Sequence, residues 1–431
     1  MKKYIYPAYL LILLLITGLS ACKKNDPDYF GKTPTERSTE ALSKYQAQLT
    51  GATNGWRAIL YPNGGGVYLF SIKFGADNKV SMLSDIDAET STTSNESAYS
   101  IKQLQAPSLV FDTYSYIHLL SDPDPNVFGG NSGAGYSSDF EFSFDKMSGD
   151  TVTLIGNKNG SKLTLVKAAT AAEYTSFTTG TTAVFTTLSA LRTYFKRVTI
   201  GTTACEVKID QGNKVLTFSY LDAGKSFKAV SSSFYIDGST NVMVLVNPVT
   251  LGATTITTIK AIAGDTGAHT INATINGTAI QIIEAVEPLK YDLAAATTFF
   301  NKPSNGSYWS SNTGFTVDNV SDGYKVTTIP NFGYMLFWPA YNAAYSRLGY
   351  ISTGNTFFSY GPAPVASFPA NGKIVFKNFG SFGTPPAAIA PIVKATSDKF
   401  FDPNGYYVIQ TSPKTYDIVN ATDARAWMSF Y

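Results

Sequence analysis

Two histidines, His118 and His269, and two cysteines, Cys22 and Cys205, are the chain's entire supply of imidazole and thiol groups. No His-Glu-x-x-His run or cysteine cluster is present, so a zinc centre finds no ligand set. A hydrolytic triad would have to recruit one of the two histidines, and no Gly-x-Ser-x-Gly elbow presents a serine. His118 lies in "TYSYIHLL", where alternation places it on a strand face with Tyr114 and Tyr116, as a core or rim residue.

Carboxylates offer more. Asp122-Pro123-Asp124-Pro125-Asn126 spaces its oxygens like the start of a calcium loop, but Val127 stands where that loop needs glycine, and its final glutamate is absent. Asp85, Asp87 and Glu89 form a second acidic group; both read as solvated loop tips. Asp139 and Glu141 stand about 7 Å apart along a strand, a spacing that suits two glycosidase carboxylates. In "SDFEFSFD", however, they alternate with Phe140, Phe142 and Phe144, which makes them the wet face of a half-buried strand. Gly156–Lys162 has the flavour of a phosphate-binding loop, yet its Ser-Lys order is reversed and it reads as a hairpin turn.

The strongest binding signal is aromatic. Ten of the thirty residues from Asn331 to Tyr360 are Phe, Tyr or Trp. Pro339 and Asn342 interrupt the strand pattern there, which puts Trp338, Tyr341 and Tyr345 in a loop as candidate ligand-binding residues. An exposed aromatic face is apolar, its edge polar, and it can stack on a sugar ring or close a hydrophobic mouth. The competing expectation is that these rings simply fill a β-domain core.

Cys22 has a different chemistry. It closes "LLITGLSACKK", after Lys2, Lys3 and an apolar run from Ala8 to Ile16 that is too short to span a bilayer. Leu19-Ser20-Ala21-Cys22 resembles the lipobox of bacterial lipoproteins, in which the cysteine sulfur receives a diacylglyceryl group and the signal is cut before it. Each buried CH₂ contributes about 0.8 kcal/mol, so one acyl chain binds marginally and two or more anchor firmly. Residues 1–21 then form a signal peptide and residues 22–32 a polar tether. Asp26 and Asp28 in that tether loosely resemble the surface-export signal of Bacteroidota lipoproteins. Cys22 is the expected lipidation site, and the expected location is the outer membrane, cell-surface exposed, with the periplasmic leaflet as the alternative.

Cleavage before Cys22 removes Lys2 and Lys3 and no acid, which cancels the formal charge of +2. A neutral body lacks the basic footprint of a nucleic-acid partner. Cys205 is left without a disulfide partner; with Val207 and Ile209 on its strand face, it reads as an inert core residue. Low charge (15%) with high aromatic content (14%) belongs to β-rich extracellular proteins.

These side chains need elements to hold them. Thr33-Pro34-Thr35-Glu36 predicts a helix N-terminus with a capping box, and Leu42, Tyr45 and Leu49 continue at helical spacing. Asn54-Gly55 then breaks the helix and Trp56 opens a run of about eight strands, including Ser108–Leu119 and Ser138–Phe144. A second helix is predicted on the stripe Val184, Leu188, Leu191, Phe195, with Lys196-Arg197 at its C-terminal end. Strands resume at Ala204, a short helix follows at Leu293–Asn301, and more strands complete the chain. The order helix, Asn-Gly, Trp, strand near residue 55 returns near residue 306, a faint repeat.

"ERSTEALSKYQAQLTGATNGWRAILYPNGGGVYLFSIKF" and "SLVFDTYSYIHLLSDPDP" with "GGNSGAGYSSDFEF" resemble a Bacteroidota lipoprotein family defined by domain of unknown function 4302. The resemblance is strongest over residues 22–170. It implies an outer-membrane lipoprotein associated with nutrient-uptake systems, and it brings no catalytic residues with it.

The expected fold is mainly β: an N-terminal antiparallel β-barrel or sandwich of about eight strands, then one or two further β units, each preceded by a short helix. Domains are expected at 33–168, 169–286 and 287–431, the last aromatic-rich. The expected function is a non-catalytic cell-surface binding or accessory subunit that captures a glycan or peptide for an outer-membrane transporter complex, with no cofactor, metal or nucleic acid. The alternatives are a lipocalin-like carrier of a hydrophobic small molecule and a structural or adhesion component of the envelope.

Overall fold

The computed structural model describes residues 31–431; Cys22 lies outside them. Helix α1 (Pro34–Thr50) starts at its capping box: the Thr33 hydroxyl accepts from the Glu36 amide, and the Glu36 carboxylate accepts from the Thr33 amide at 2.8 Å. Strands β1 (Trp56–Tyr61), β2 (Tyr68–Phe74), β3 (Lys79–Ser84), β4 (Asn95–Gln103), β5 (Pro107–Phe111), β6 (Glu141–Ser148), β7 (Thr151–Gly156) and β8 (Lys162–Lys167) run up and down. They close into a barrel when β8 pairs back with β1, Ala58 opposite Leu165. Closure leaves no free edge in a sequence rich in β-formers. The inward residues, among them Trp56, Phe70, Met82, Phe142 and Leu154, are fully buried. A turn of helix, α2 (Ala88–Thr92), links β3 to β4.

Two strand predictions in this barrel need correction. The strand expected to reach Leu119 ends at Phe111, and Tyr116–Leu119 is a helical turn, α3. Alternation of Tyr114, Tyr116 and His118 suggested a strand, but the fully buried pair is Ile117 and Leu120, three apart, which is helical spacing. A second turn, α4 (Pro125–Phe128), follows, and the next strand starts at Glu141 rather than Ser138.

Helix α5 (Ala171–Leu188) leads to a second closed barrel. Its strands are β9 (Phe195–Ile200), β10 (Thr203–Asp210), β11 (Val215–Leu221), β12 (Phe227–Asp237), β13 (Val242–Leu251), β14 (Thr254–Asp265), β15 (Thr270–Ile275) and β16 (Thr278–Ala285). The predicted helical stripe running to Phe195 is too long. Phe195–Ile200 is recruited as the strand that pairs with both β10 and β16 and so closes the ring. The interior is aliphatic, with a void of only about 20 Å³ between Leu216, Phe218, Ile259 and Ile271. Cys205 sits fully buried in this core, and desolvation pushes its thiol up to about 11.

Helix α5 also joins the two barrels. Tyr174 exchanges hydrogen bonds with Ser71 of β2, its carbonyl accepting from the Ser71 hydroxyl at 2.6 Å and its own hydroxyl donating to the Ser71 carbonyl at 3.1 Å. Gly180 meets Gly238 so closely that a Cβ on Gly180 would stand 2.4 Å from the Gly238 Cα. Arg57 of β1 pairs with Glu173 at 3.1 Å and with Asp237 of β12 at 3.3 Å. Lys214 reaches from the second barrel to Asp85 of the first, 2.5 Å away, with both side chains buried.

The C-terminal unit begins with α6 (Ala295–Asn301). A three-stranded sheet contains β17 (Trp309–Ser311), β19 (Phe332–Trp338) and β20 (Arg347–Ser352); a hairpin contains β21 (Pro362–Ser367) and β22 (Val375–Ser381). A four-stranded sheet contains β18 (Thr316–Val317), β23 (Tyr406–Ser412), β24 (Thr415–Asn420) and β25 (Ala426–Phe430), with α7 (Ala390–Phe400) before β23. Backbone hydrogen bonds stitch these sheets edge to edge: Ser346 to Pro364, Ile374 with Tyr406, and Ser310 with Tyr431, the last two reciprocal. The core is strongly aromatic, built on Phe299, Trp309, Phe337, Phe376, Phe400 and Phe430.

The faint repeat is structural. Trp56 donates its indole N–H to the Leu49 carbonyl of α1 at 2.8 Å, and Trp309 donates to the Phe299 carbonyl of α6 at 2.8 Å. Gly55 and Gly306 both have φ +83°, the left-handed turn that lets each chain reverse from helix into strand.

Candidate functional site

The aromatic segment divides at Trp338. Met335, Leu336 and Phe337 of β19 enter the core, whereas Trp338 ends the strand half-buried. The loop that follows is locked by one side chain: Asn342 Oδ1 accepts from the Ala344 amide at 2.8 Å and the Tyr345 amide at 3.0 Å. The Ser346 hydroxyl accepts from the Ala340 amide at 3.1 Å, closing the loop's base.

That loop builds a shelf of rings. Tyr341 packs edge-on to Trp338 (5.3 Å between centroids) and lies roughly parallel to Tyr345 (6.4 Å). Tyr308 flanks Trp338 at 5.8 Å. From the neighbouring hairpin, Phe379 stacks on Tyr345 at 5.1 Å, and Phe382 meets Tyr341 edge-on at 5.7 Å. Phe379 is 60% exposed and Tyr341 37%, so the shelf presents ring surface to solvent. All three predicted ligand-binding residues therefore meet in one place, at the surface of the unit rather than in its core.

Arg347 lies beneath the shelf, only 8% exposed. Its guanidinium carbon is 3.8 Å from the Phe357 ring centroid and 4.3 Å from that of Phe382. Nη2 donates to the Phe358 carbonyl at 3.3 Å, and Nε has no partner. A planar cation held between aromatic faces is stabilised by their quadrupoles and fixes both rings in place. The prediction missed Arg347, Phe379 and Phe382. The two phenylalanines stand in "NFGSFG", which begins 18 residues after Tyr360, the end of the aromatic-dense segment they join.

Residues 26–262, more than half of the chain, match the model of the family described as domain of unknown function DUF4302. The chain belongs to the DUF4302 family. The matched residues cover the first barrel and most of the second, and end within β14. No curated protein matches. Among solved structures, the β subunit of DNA polymerase from Streptococcus pyogenes is 10% identical and aligns over 90% of this chain and 96% of its own, with a TM-score of 0.12. The Helicobacter pylori β clamp bound to diflunisal is 8% identical over 92% and 96%, with a TM-score of 0.14. Likenesses at these scores carry no argument about fold or function.

Within the DUF4302 region the other sequence candidates fall into place. Asp139 is not on a wet face: it is buried, and its carboxylate accepts from the amides of Lys158 (2.9 Å), Asn159 (2.8 Å) and Ser161 (3.0 Å). The turn that looked like a phosphate loop does cradle an anion, and the anion is the protein's own carboxylate. Phe140 does not share the inward face of Phe142 and Phe144; it lies before the strand, 38% exposed, stacked on His118 at 4.6 Å. His118 stacks in turn on Tyr114 at 5.5 Å, and burial lowers its pKa from the usual 6.5.

The two acidic clusters have structural employment. Asp122 accepts from the Tyr114 hydroxyl at 2.6 Å and the Asp124 amide at 2.9 Å; Asp124 caps α4 through the Asn126 amide at 2.9 Å. Asp87 caps α2, and Asp85 is the buried partner of Lys214 rather than a loop tip. His269 places Nδ1 3.3 Å from the Ala190 carbonyl.

Proposed function

We propose that this protein is a non-catalytic binding subunit of the bacterial cell envelope that captures glycan chains on the shelf formed by Trp338, Tyr341, Tyr345 and Phe379. The observation that carries this reading is the convergence of those rings, from one strand end, the loop after it and one hairpin, on an exposed surface held rigid by Asn342 and Arg347. Flat apolar rings with polar edges suit the C–H faces and hydroxyl rims of sugars. The shelf offers contact area and a fixed cation, not a general acid–base pair, so its work is capture rather than bond cleavage.

The location follows from Cys22. Lipidation there would tether the body to the outer membrane, and confinement at the surface raises the effective concentration of captured chain for a transporter partner. The reading as a carrier of a hydrophobic molecule draws no support from the second barrel, whose interior void is about 20 Å³.

Affinity electrophoresis through gels containing soluble glucan, mannan or pectin tests the reading. Wild-type protein is expected to be retarded by at least one of them, and Tyr341→Ala and Phe379→Ala to migrate freely with unchanged melting temperature. Equal migration of wild type and variants in every gel would contradict it, and retention on an unfolded peptide matrix instead would assign the shelf to peptide.

A further inference from the structure

The first barrel carries a cavity of about 320 Å³ beside the glycine-rich loop between α4 and β6, remote in sequence from the shelf. That volume falls within the range of small-molecule sites, about 300–1,000 Å³. Its lining includes Ser121, Ala134, Ser138, Phe140, Glu141 and Lys158.

Two features of this lining are unspent by the fold. Glu141 is half-buried and Lys158 exposed, and neither forms an ion pair with a described residue. Phe140 offers a ring whose orientation is fixed by the His118 stack behind it.

The site is also preorganised. Asp139 pins the turn that carries Lys158 and Asn159, and Asn159 Nδ2 donates to the Ser138 carbonyl at 2.7 Å. The opposite wall is tied down by Gly133, which donates to the Pro123 carbonyl at 2.8 Å, and by Gly135, which donates to the Asn131 carbonyl at 2.8 Å. One carboxylate and one ammonium balance each other, since the charge of Asp139 is already spent on three amides. A balanced pair favours a neutral ligand with many hydroxyls over an ion: the carboxylate accepts from hydroxyls, the ammonium donates to them, and an aromatic ring takes the apolar face.

We propose that this cavity is a second binding site, specific for a single neutral sugar residue, with Phe140 as its stacking wall and Glu141 and Lys158 as its polar contacts. It does not rest on the shelf, and the two can fail separately.

Saturation-transfer difference NMR on the full chain, with glucose, galactose and mannose as probes, tests it. Transfer is expected from at least one sugar. Measured in the Tyr341→Ala/Phe379→Ala background, where the shelf's rings are gone, affinity should fall about tenfold on adding Phe140→Ala or the near-isosteric Glu141→Gln. No transfer from any of the three sugars, or undiminished transfer in a Glu141→Gln protein with a wild-type melting curve, would overturn the proposal. Transfer present in the wild type but absent from that double variant would overturn it too, by moving the sugar to the shelf.

Discussion

Trp309 opens β17 opposite Phe337, one register step from Trp338 at the end of β19, yet the two indoles meet different environments. Trp309 is fully buried, hydrogen-bonded to α6 and stacked on Phe299 at 5.2 Å. Trp338 is half-buried and holds Tyr308 and Tyr341 at the surface. The same contrast separates the closed barrels from the C-terminal unit. The barrels turn their apolar residues inward until almost no void remains in the second, whereas the C-terminal unit breaks β19 at Pro339 and spends part of its aromatic surplus outside. Which face of a strand a ring takes, not residue type, decides whether it builds core or site.

Substitutions should expose this difference, most strongly inside. Trp56→Ala or Trp309→Ala removes a buried indole and strands a carbonyl; each should lower stability by about 3–5 kcal/mol in denaturant titration. Trp338→Ala should cost far less, and an equal cost would erase the distinction. Next in size is the joint between the barrels. Lys214→Ala leaves Asp85 buried without its cation, at about 3–5 kcal/mol, and pairing it with Asp85→Leu should restore most of that loss. Asp139→Ala should cost about 2 kcal/mol by orphaning the three amides it collects, with heightened exchange at Lys158 to Ser161.

A pH dependence sharpens the comparison within the first barrel. Burial lowers the His118 pKa, so the unfolded chain binds more protons than the native one once pH falls below about 6.5. Stability should therefore decline as pH drops through and below that value, and His118→Gln should decline less; parallel curves would show that the stacked imidazole is not responsible. Smallest of all is the expected effect of Tyr341→Ala on stability, within about 0.5 kcal/mol.

Local rules were well legible in the sequence. The Thr33–Glu36 box names its own helix start, because both partners lie within one turn, and the core placement of Cys205 follows from strand alternation. What escaped notice depended on distant closure. Phe195–Ile200 looks like the end of a helix until β10 and β16 require a strand between them. Asp139 looks solvent-facing until a turn some twenty residues later folds its amides around it. The shelf was half legible: aromatic density and the Pro339 break pointed to Trp338, Tyr341 and Tyr345, but Phe379 and Phe382 arrive through hairpin packing that no local pattern encodes. Arg347 had no acidic neighbour in sequence to betray it, since its partners are ring faces.

The most direct test of the shelf is a paired measurement on the Tyr341→Ala/Phe379→Ala double variant: its melting temperature and its retention by an immobilised glycan that holds the wild type. Unchanged melting with retention abolished is the predicted result. A lowered melting temperature with retention intact would mean that these rings serve the fold and that the ligand, if any, binds elsewhere.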